Sequence, residues 1–210
     1  LVDTATDSVV GVVMPNLANM APLAELSIPK SRLKSFPAER WDFLLLVARN
    51  LAAAFDEVHN RGFVIGDVND SNVMVNAGGE VRLIDVDSFQ LTQGSELFVC
   101  EVGMAGYTPP ELANSTFAST RRTMNHDAFG LAVLIFQLLF AGRHPFAGNP
   151  LSGSLSGDPA DHIGKYCYAY AKDSRARGLV APVKAPPIEL VSGDLRELFE
   201  RAFTENGVRY

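Results

Sequence analysis

From Ala128 to Ala141 runs the longest apolar stretch of the chain, with Gln137 its one polar side chain. At about 1.5 Å per residue the run is too short to cross a bilayer, which needs roughly 20 residues. A helix apolar on every side in a soluble protein belongs in the middle of a core. The run therefore predicts a buried central helix around which the remaining chain must wrap. A length of 210 residues suits one large domain or two small ones. With 47% hydrophobic and 20% charged residues, the composition argues against disorder, collagen and coiled coil. Eighteen basic against twenty-four acidic residues give a net charge of −6, which argues against nonspecific nucleic-acid binding. Cys100 and Cys167 are too few for a disulfide framework or a zinc site and suggest a reducing, cytoplasmic setting. The start Leu1-Val2-Asp3-Thr4-Ala5 has neither a basic apolar leader nor an initiator Met, and reads as a chain cut from something larger.

Upstream of the central run, Trp41, Leu44, Leu45, Ala48, Leu51, Ala52, Phe55 and Val58 fall at helical spacing. They predict an amphipathic helix over residues 40–59, with Gly62 as its stop signal. Val9 to Met14 is short and β-branched and reads as a strand ended by Pro15. Residues 16–39 hold three prolines and one short candidate helix, residues 86–126 little periodicity, and residues 147–188 one helical stretch near 161–171. Leu195, Leu198, Phe199 and Ala202 mark a final short helix. The class is α+β, mainly helical with a small β component.

The sharpest inference from spacing concerns a hairpin. Val73-Met74-Val75 and Val81-Arg82-Leu83-Ile84 are joined by Asn76-Ala77-Gly78-Gly79-Glu80, which has the turn residues a hairpin wants. Asn72 precedes its first strand and Asp85 follows its second, so an antiparallel pairing makes those outer ends neighbours. Asp67, five residues before Asn72, can reach the same place. Two carboxylates and a carboxamide at an open sheet end make a hard-oxygen site of the kind that suits Mg²⁺ shared with substrate phosphates.

These residues carry a resemblance. Ile65-Gly66-Asp67-Val68-Asn69-Asp70-Ser71-Asn72 resembles the catalytic loop of protein kinases, H-R-D-L-x-x-x-N, and Ile84-Asp85-Val86-Asp87 stands where D-F-G would. Tyr107-Thr108-Pro109-Pro110-Glu111 resembles the A-P-E end of an activation segment. Asp127-Ala128-Phe129-Gly130 resembles the start of the family's buried central helix, and Gly142-Arg143-His144-Pro145-Phe146 the loop after it. Val13-Met14-Pro15 and Asp85-Val86-Asp87-Ser88-Phe89 are similar to a bacterial branch of eukaryotic-like Ser/Thr kinases. That branch is associated with partner phosphatase and von Willebrand A-type proteins in tellurite-resistance-type systems.

The resemblance implies a kinase fold: residues 1–17 as the end of the N-lobe and hinge, residues 18–210 as the C-lobe. The catalytic loop would span 65–72, the activation segment 85–111 and the central helix 127–141. It implies ATP and Mg²⁺ as cofactors, with a protein substrate and neither nucleic acid nor membrane as partner. Asp67 would orient the substrate hydroxyl, and Asn69 would donate to the γ-phosphate. Asn72 and Asp85 would hold the metal. Met14 would pack behind adenine, the backbone of Asn16 and Leu17 would bind the base edge, and Glu111 would pair with an arginine, for which Arg209 is the candidate. Ile65 and Gly66 depart from His-Arg, Asn69 from a Lys, and Asp87 from the Gly of D-F-G. No G-x-G-x-x-G and no V-A-I-K lysine occur, so the chain alone is expected to be a poor catalyst. The competing expectations are a pseudokinase or docking scaffold, and a small-molecule kinase like the aminoglycoside phosphotransferases. All four histidines are expected to be structural.

Overall fold

A computed structural model describes residues 2–3, 8–11, 13–151, 153 and 155–205. Strands β1 (Val2–Asp3) and β2 (Ser8–Val9) pair antiparallel, and β3 (Ala21–Pro22) leads into helices α1 (Leu23–Ser27) and α2 (Pro29–Ser35). The long helix α3 (Trp41–Asn60) precedes the hairpin β4 (Val73–Val75) and β5 (Val81–Leu83), then a second hairpin, β6 (Leu91–Gln93) and β7 (Glu96–Phe98). After three short 3₁₀ turns comes α4 (Met124–Leu139). β8 (Asn149–Pro150), α5 (Pro159–Gly164), β9 (Leu179–Val180) and α6 (Gly193–Phe203) complete the chain.

The central apolar run is α4. It starts earlier than the run because Thr123 and His126 form a capping box: Thr123 N–H donates to His126 Nδ1 at 3.1 Å. It stops where Ala141 and Gly142 turn left-handed, at φ 56° and 76°. Phe129, Gly130, Val133, Leu134, Phe136, Leu138 and Leu139 are buried on it, which covers more than one face. α3 presents Phe43, Leu44, Val47, Ala48, Leu51 and Phe55 to the same core. At the C-terminal end of α4, Phe136 stacks on Phe140 with centroids 4.0 Å apart and meets Tyr168, Tyr170, Phe199 and Phe203 edge-on. α6, capped by Ser192, supplies Phe199 and Phe203.

Three antiparallel strands in the order β3-β4-β5 lie against this core, with Val73 opposite Leu83 and Val75 opposite Val81. Asn76 builds the hairpin turn: its Oδ1 accepts from Gly78 and Glu80 N–H at 2.9 and 3.0 Å. Gly79, at φ 79°, lies where a Cβ would sit 2.9 Å from Leu46 of α3, and Asn50 donates to its carbonyl at 2.8 Å. The turn is thus fastened to α3, which fixes the opposite, open end of the hairpin.

Four expectations change. Of the strand expected over Val9–Met14, Val12 lies outside the described residues, and among the described ones only Val9 is in a strand, β2. Val10, Val13 and Met14 are 63, 78 and 75% exposed, with no described strand beside them to share a ladder. Residues 16–39 form two helices rather than one, because Pro29 cannot continue α1 but can start α2. The β6–β7 hairpin, turned at Gly94 (φ 62°), was hidden in strands too short to show periodicity. The helical stretch near 161–171 is the shorter α5, capped by Asp158, and residues 165–171 turn rather than continue it. Among the described residues no helix is long and apolar enough to cross a membrane.

Candidate active site

The loop leaving α3 is held by backbone before any side chain acts. Val64 and Gln90 form an antiparallel bridge, with N–H···O distances of 3.0 and 2.8 Å in the two directions. Ile65 and Gly66 then turn their N–H groups onto the buried carboxylate of Asp127, at 2.7 Å to Oδ2 and 2.8 Å to Oδ1. His59, in the last turn of α3, donates from Nε2 to the same Oδ2 at 2.8 Å. One carboxylate in the first turn of α4 therefore joins two helices and the loop, where the helix dipole also favours negative charge. Gly130, one turn on, leaves no room for a Cβ, which would stand 2.7 Å from Val68.

Inside that frame the polar side chains converge. Asn69 is 4% exposed; its Oδ1 accepts from the N–H of Ser71 and Asn72 at 3.0 and 3.1 Å. Its Nδ2 donates to Asp67 Oδ2 at 3.2 Å, and Asn72 Nδ2 donates to the same oxygen at 3.1 Å. Asp67 Oδ1 is buried, and among the described residues it has no hydrogen-bond partner. Ile84 N–H donates to Asn72 O at 3.0 Å, so the hairpin register carries Asp85 to the residue just beyond this pair. Asp85 is exposed and left-handed (φ 59°, ψ 39°). Desolvation, the neighbouring Asp87 and the charge of Asp67 push its carboxyl above the usual range. The structure thus gathers Asp67, Asn69, Asn72 and Asp85.

Met14, Asn16 and Leu17 stand differently. Met14 is exposed, Asn16 Oδ1 accepts from Ala18 N–H at 2.9 Å, and Leu17 O accepts from Met20 N–H at 2.9 Å. Among the described residues no hydrogen bond ties these three to the Asp67 cluster. Arg209, the candidate partner of Glu111, lies outside the described residues; Glu111 instead faces His126 Nε2 at 3.9 Å. Two site residues were missed by sequence reasoning as anchors, Asp127 and His59, because what they hold is backbone and a partner far along the chain. The signal available was an acidic residue opening an otherwise apolar helix.

The segment after the second hairpin is also pinned to α4. Tyr107 OH donates to Gln137 Oε1 at 2.9 Å, and burial pushes that phenol well above its ordinary range. His144 Nε2–H donates to Gly106 O at 2.7 Å. Gln137, the one polar side chain of the apolar run, is therefore the partner of a half-buried tyrosine.

Magnesium fits this donor set on chemical grounds. Asn72 spends its Nδ2 on Asp67, and no hydrogen bond to its Oδ1 is seen among the described residues. Asp85 is crowded by Asp87 and Asp67, a repulsion that a cation relieves. Among the described residues no three His, Cys, Asp or Glu side chains gather as a metal cluster.

Residues 14–174 match the protein kinase domain family. The chain belongs to that family. It is 45% identical over 201 residues to protein kinase YegI of Escherichia coli O157:H7, covering 95% of this chain and 31% of the relative. The K12 strain's YegI is 44% identical over the same span. Serine/threonine-protein kinase PSK2 of Saccharomyces cerevisiae is 28% identical over 129 residues, 60% of this chain and 11% of that protein. The chain spans about a third of the length of its E. coli relatives. A kinase-like fold of mixed helix and strand is what these elements and this family have in common.

Proposed function

We propose that the chain supplies the C-terminal catalytic part of a Ser/Thr protein kinase, transferring the γ-phosphoryl of ATP to a protein hydroxyl. The observation that carries this is the asymmetry of Asp67: two carboxamides fix Oδ2, and Oδ1 is buried with no hydrogen-bond partner among the described residues. A substrate hydroxyl would bond to Oδ1, the oxygen neither carboxamide holds, once that oxygen is uncovered to the substrate. Its proton passes to Asp67 as the hydroxyl oxygen bonds to the γ-phosphorus and the bond to the ADP oxygen breaks. Phosphoryl transfer has a loose transition state, so holding Asp67 in one orientation matters more than its basicity. Asn69, with no charge to offer, acts by fixing Asp67 and the turn into Asn72. Asn72 Oδ1 and Asp85 would hold Mg²⁺, which when bound neutralises charge on the transferred phosphoryl group.

Residues 1–17 are read as the end of the N-lobe and hinge, with Met14, Asn16 and Leu17 at the adenine, and residues 18–210 as the C-lobe. Ser/Thr specificity is supported by the yeast relative's description. A partner phosphatase and a von Willebrand A-type protein are proposed from the wording of the motifs alone, and a cytoplasmic setting from the cysteine content.

The test uses the full-length protein with γ-labelled ATP and Mg²⁺, beside Asp67→Asn. Label on Ser or Thr with wild type and about 10²–10⁴-fold less with the variant is the expected result. Equal labelling by the two proteins overturns the role of Asp67. Nucleotide binding with no transfer makes the protein a scaffold, and label only on an aminoglycoside-like alcohol makes it a small-molecule kinase.

A further inference from the structure

Behind the catalytic loop lies a buried cation that the Asp67 cluster does not use. Arg122 is 4% exposed. Its guanidinium carbon sits 4.0 Å over the ring of Phe117, Nη2 donates to Val102 O, and Nε is buried with no hydrogen-bond partner among the described residues. Among the described residues no carboxylate pairs with it. Its backbone is clamped as tightly: Arg122 N–H donates to Gln90 Oε1 and Gln90 Nε2 donates to Arg122 O, both at 2.8 Å. Gln90 is the residue bridged to Val64, so the same segment carries the start of the catalytic loop and the seat of this arginine.

Two glycines make room for it. A Cβ on Gly66, the residue before Asp67, would meet Cys100 Cβ and Sγ at 2.6 Å and Arg122 Nη1 at 3.2 Å. A Cβ on Gly103 would meet Arg122 Nη2 at 2.9 Å and the Phe117 ring at 3.0 Å. The guanidinium therefore fills the space between the catalytic loop and the activation segment, touching both where neither has a side chain. Gly66 is also where kinases that use a loop arginine to capture a phosphorylated activation segment carry that arginine. Burying a charge without a counter-charge is costly, and an apolar side chain of similar size would stabilise the fold at least as well. What an apolar side chain lacks is the donated hydrogen bond to Val102 and the cation–π contact with Phe117.

We propose that Arg122 is a positioning residue that holds the Val102–Gly103 part of the activation segment against the catalytic loop, making the segment's placement independent of phosphorylation. The placement is a matter of geometry; its consequence for catalysis rests on the kinase reading. Arg122 acts through the peptide it holds and touches neither the transferred group nor Asp67's carboxylate.

The experiment compares the full-length wild type, before and after exhaustive treatment with a broad-specificity phosphatase, with Arg122→Met and Arg122→Lys. Two readouts are taken: steady-state phosphoryl transfer, and amide hydrogen exchange resolved to peptides. Dephosphorylated wild type is expected to keep its full kcat. Arg122→Met should lose about 10²-fold in kcat, the scale of an ångström-sized misplacement, with KM for ATP unchanged. Exchange should rise over residues 100–107 and stay low in α3 and α4. Arg122→Lys, which keeps the charge and one donor, should recover part of both. The proposal is overturned if phosphatase treatment abolishes wild-type activity, or if Arg122→Met keeps both its kcat and its protection. Should Arg122→Met unfold, Arg122→Lys decides by the same two readouts. A wild type that transfers no phosphoryl sinks the kinase reading, while the exchange data still decide whether Arg122 holds the segment.

Discussion

The two ends of α4 do opposite kinds of work. Its C-terminal end is an aromatic knot in which Phe136 meets rings from three directions along the chain, so each contact has substitutes nearby. Its N-terminal end is a single carboxylate, Asp127, receiving three donors from two other segments. Apolar packing is nondirectional and spread over many atoms, whereas a buried acceptor is directional and has no replacement. Stability and site geometry are thus carried by one helix but by separate turns of it.

That separation can be broken or sharpened by experiment. The largest effect is expected from Asp127→Ala, which strands the N–H groups of Ile65 and Gly66 and the ring of His59. It should cost about 3–5 kcal/mol in urea unfolding, as removing one partner of a buried charge network does. Activity per folded molecule should also fall about 10²-fold as Asp67 loses its place. Phe136→Ala should lower stability by about 3–5 kcal/mol as well, from lost burial and a cavity. Its kcat per folded molecule should stay at the wild-type value, and a fall matching that of Asp127→Ala would dissolve the distinction between the two ends.

The smallest effect concerns pH. Burial lowers the pKa of His144 below its ordinary 6.5, although its bond to Gly106 O opposes this. Its Nδ1 also accepts from Phe146 N–H at 3.2 Å, which requires the neutral ring. The unfolded chain therefore takes up a proton near pH 6.5 that the folded chain refuses until lower pH. The stability His144 contributes is complete above that value and is lost as pH falls through the window beneath it. Urea midpoints at about pH 5 and pH 8 should differ more for wild type than for His144→Gln, whose side chain does not titrate in this range. His126, lowered likewise by burial, leaves a residual slope in both proteins.

The sequence was most legible where a pattern was long or local. The stripe of α3 and the apolar run of α4 each exceed three turns, and the Asn76–Glu80 turn announces its hairpin within five residues. Placing Asn72 and Asp85 near neighbouring strand ends followed from pleat and pairing alone. The register sets Asn72 opposite Ile84, with β5 ending at Leu83, so Asp85 comes one residue past the expected pair. Legibility failed where the partner was distant or was backbone. Nothing local in Asp127 says that it will accept from Ile65 and Gly66, and nothing in Arg122 says that two glycines far from it are left bare to receive it. The opening strand failed for a third reason, because β-branched residues state a preference that only a neighbouring strand can satisfy.

One consequence of the Asp127 bonds concerns how much this loop can vary. A carboxylate that grips peptide N–H groups is blind to the side chains those peptides carry. As far as this anchor is concerned, the loop's spelling and the loop's shape are uncoupled at residue 65. At residue 66, by contrast, a φ of 73° and the Cys100 side chain where a Cβ would stand keep the glycine. An isoleucine and a glycine can stand where a histidine and an arginine are customary without moving the aspartate that follows. The positions best known as a signature are, in this chain, ones whose letters the grip on Asp67's neighbours does not read.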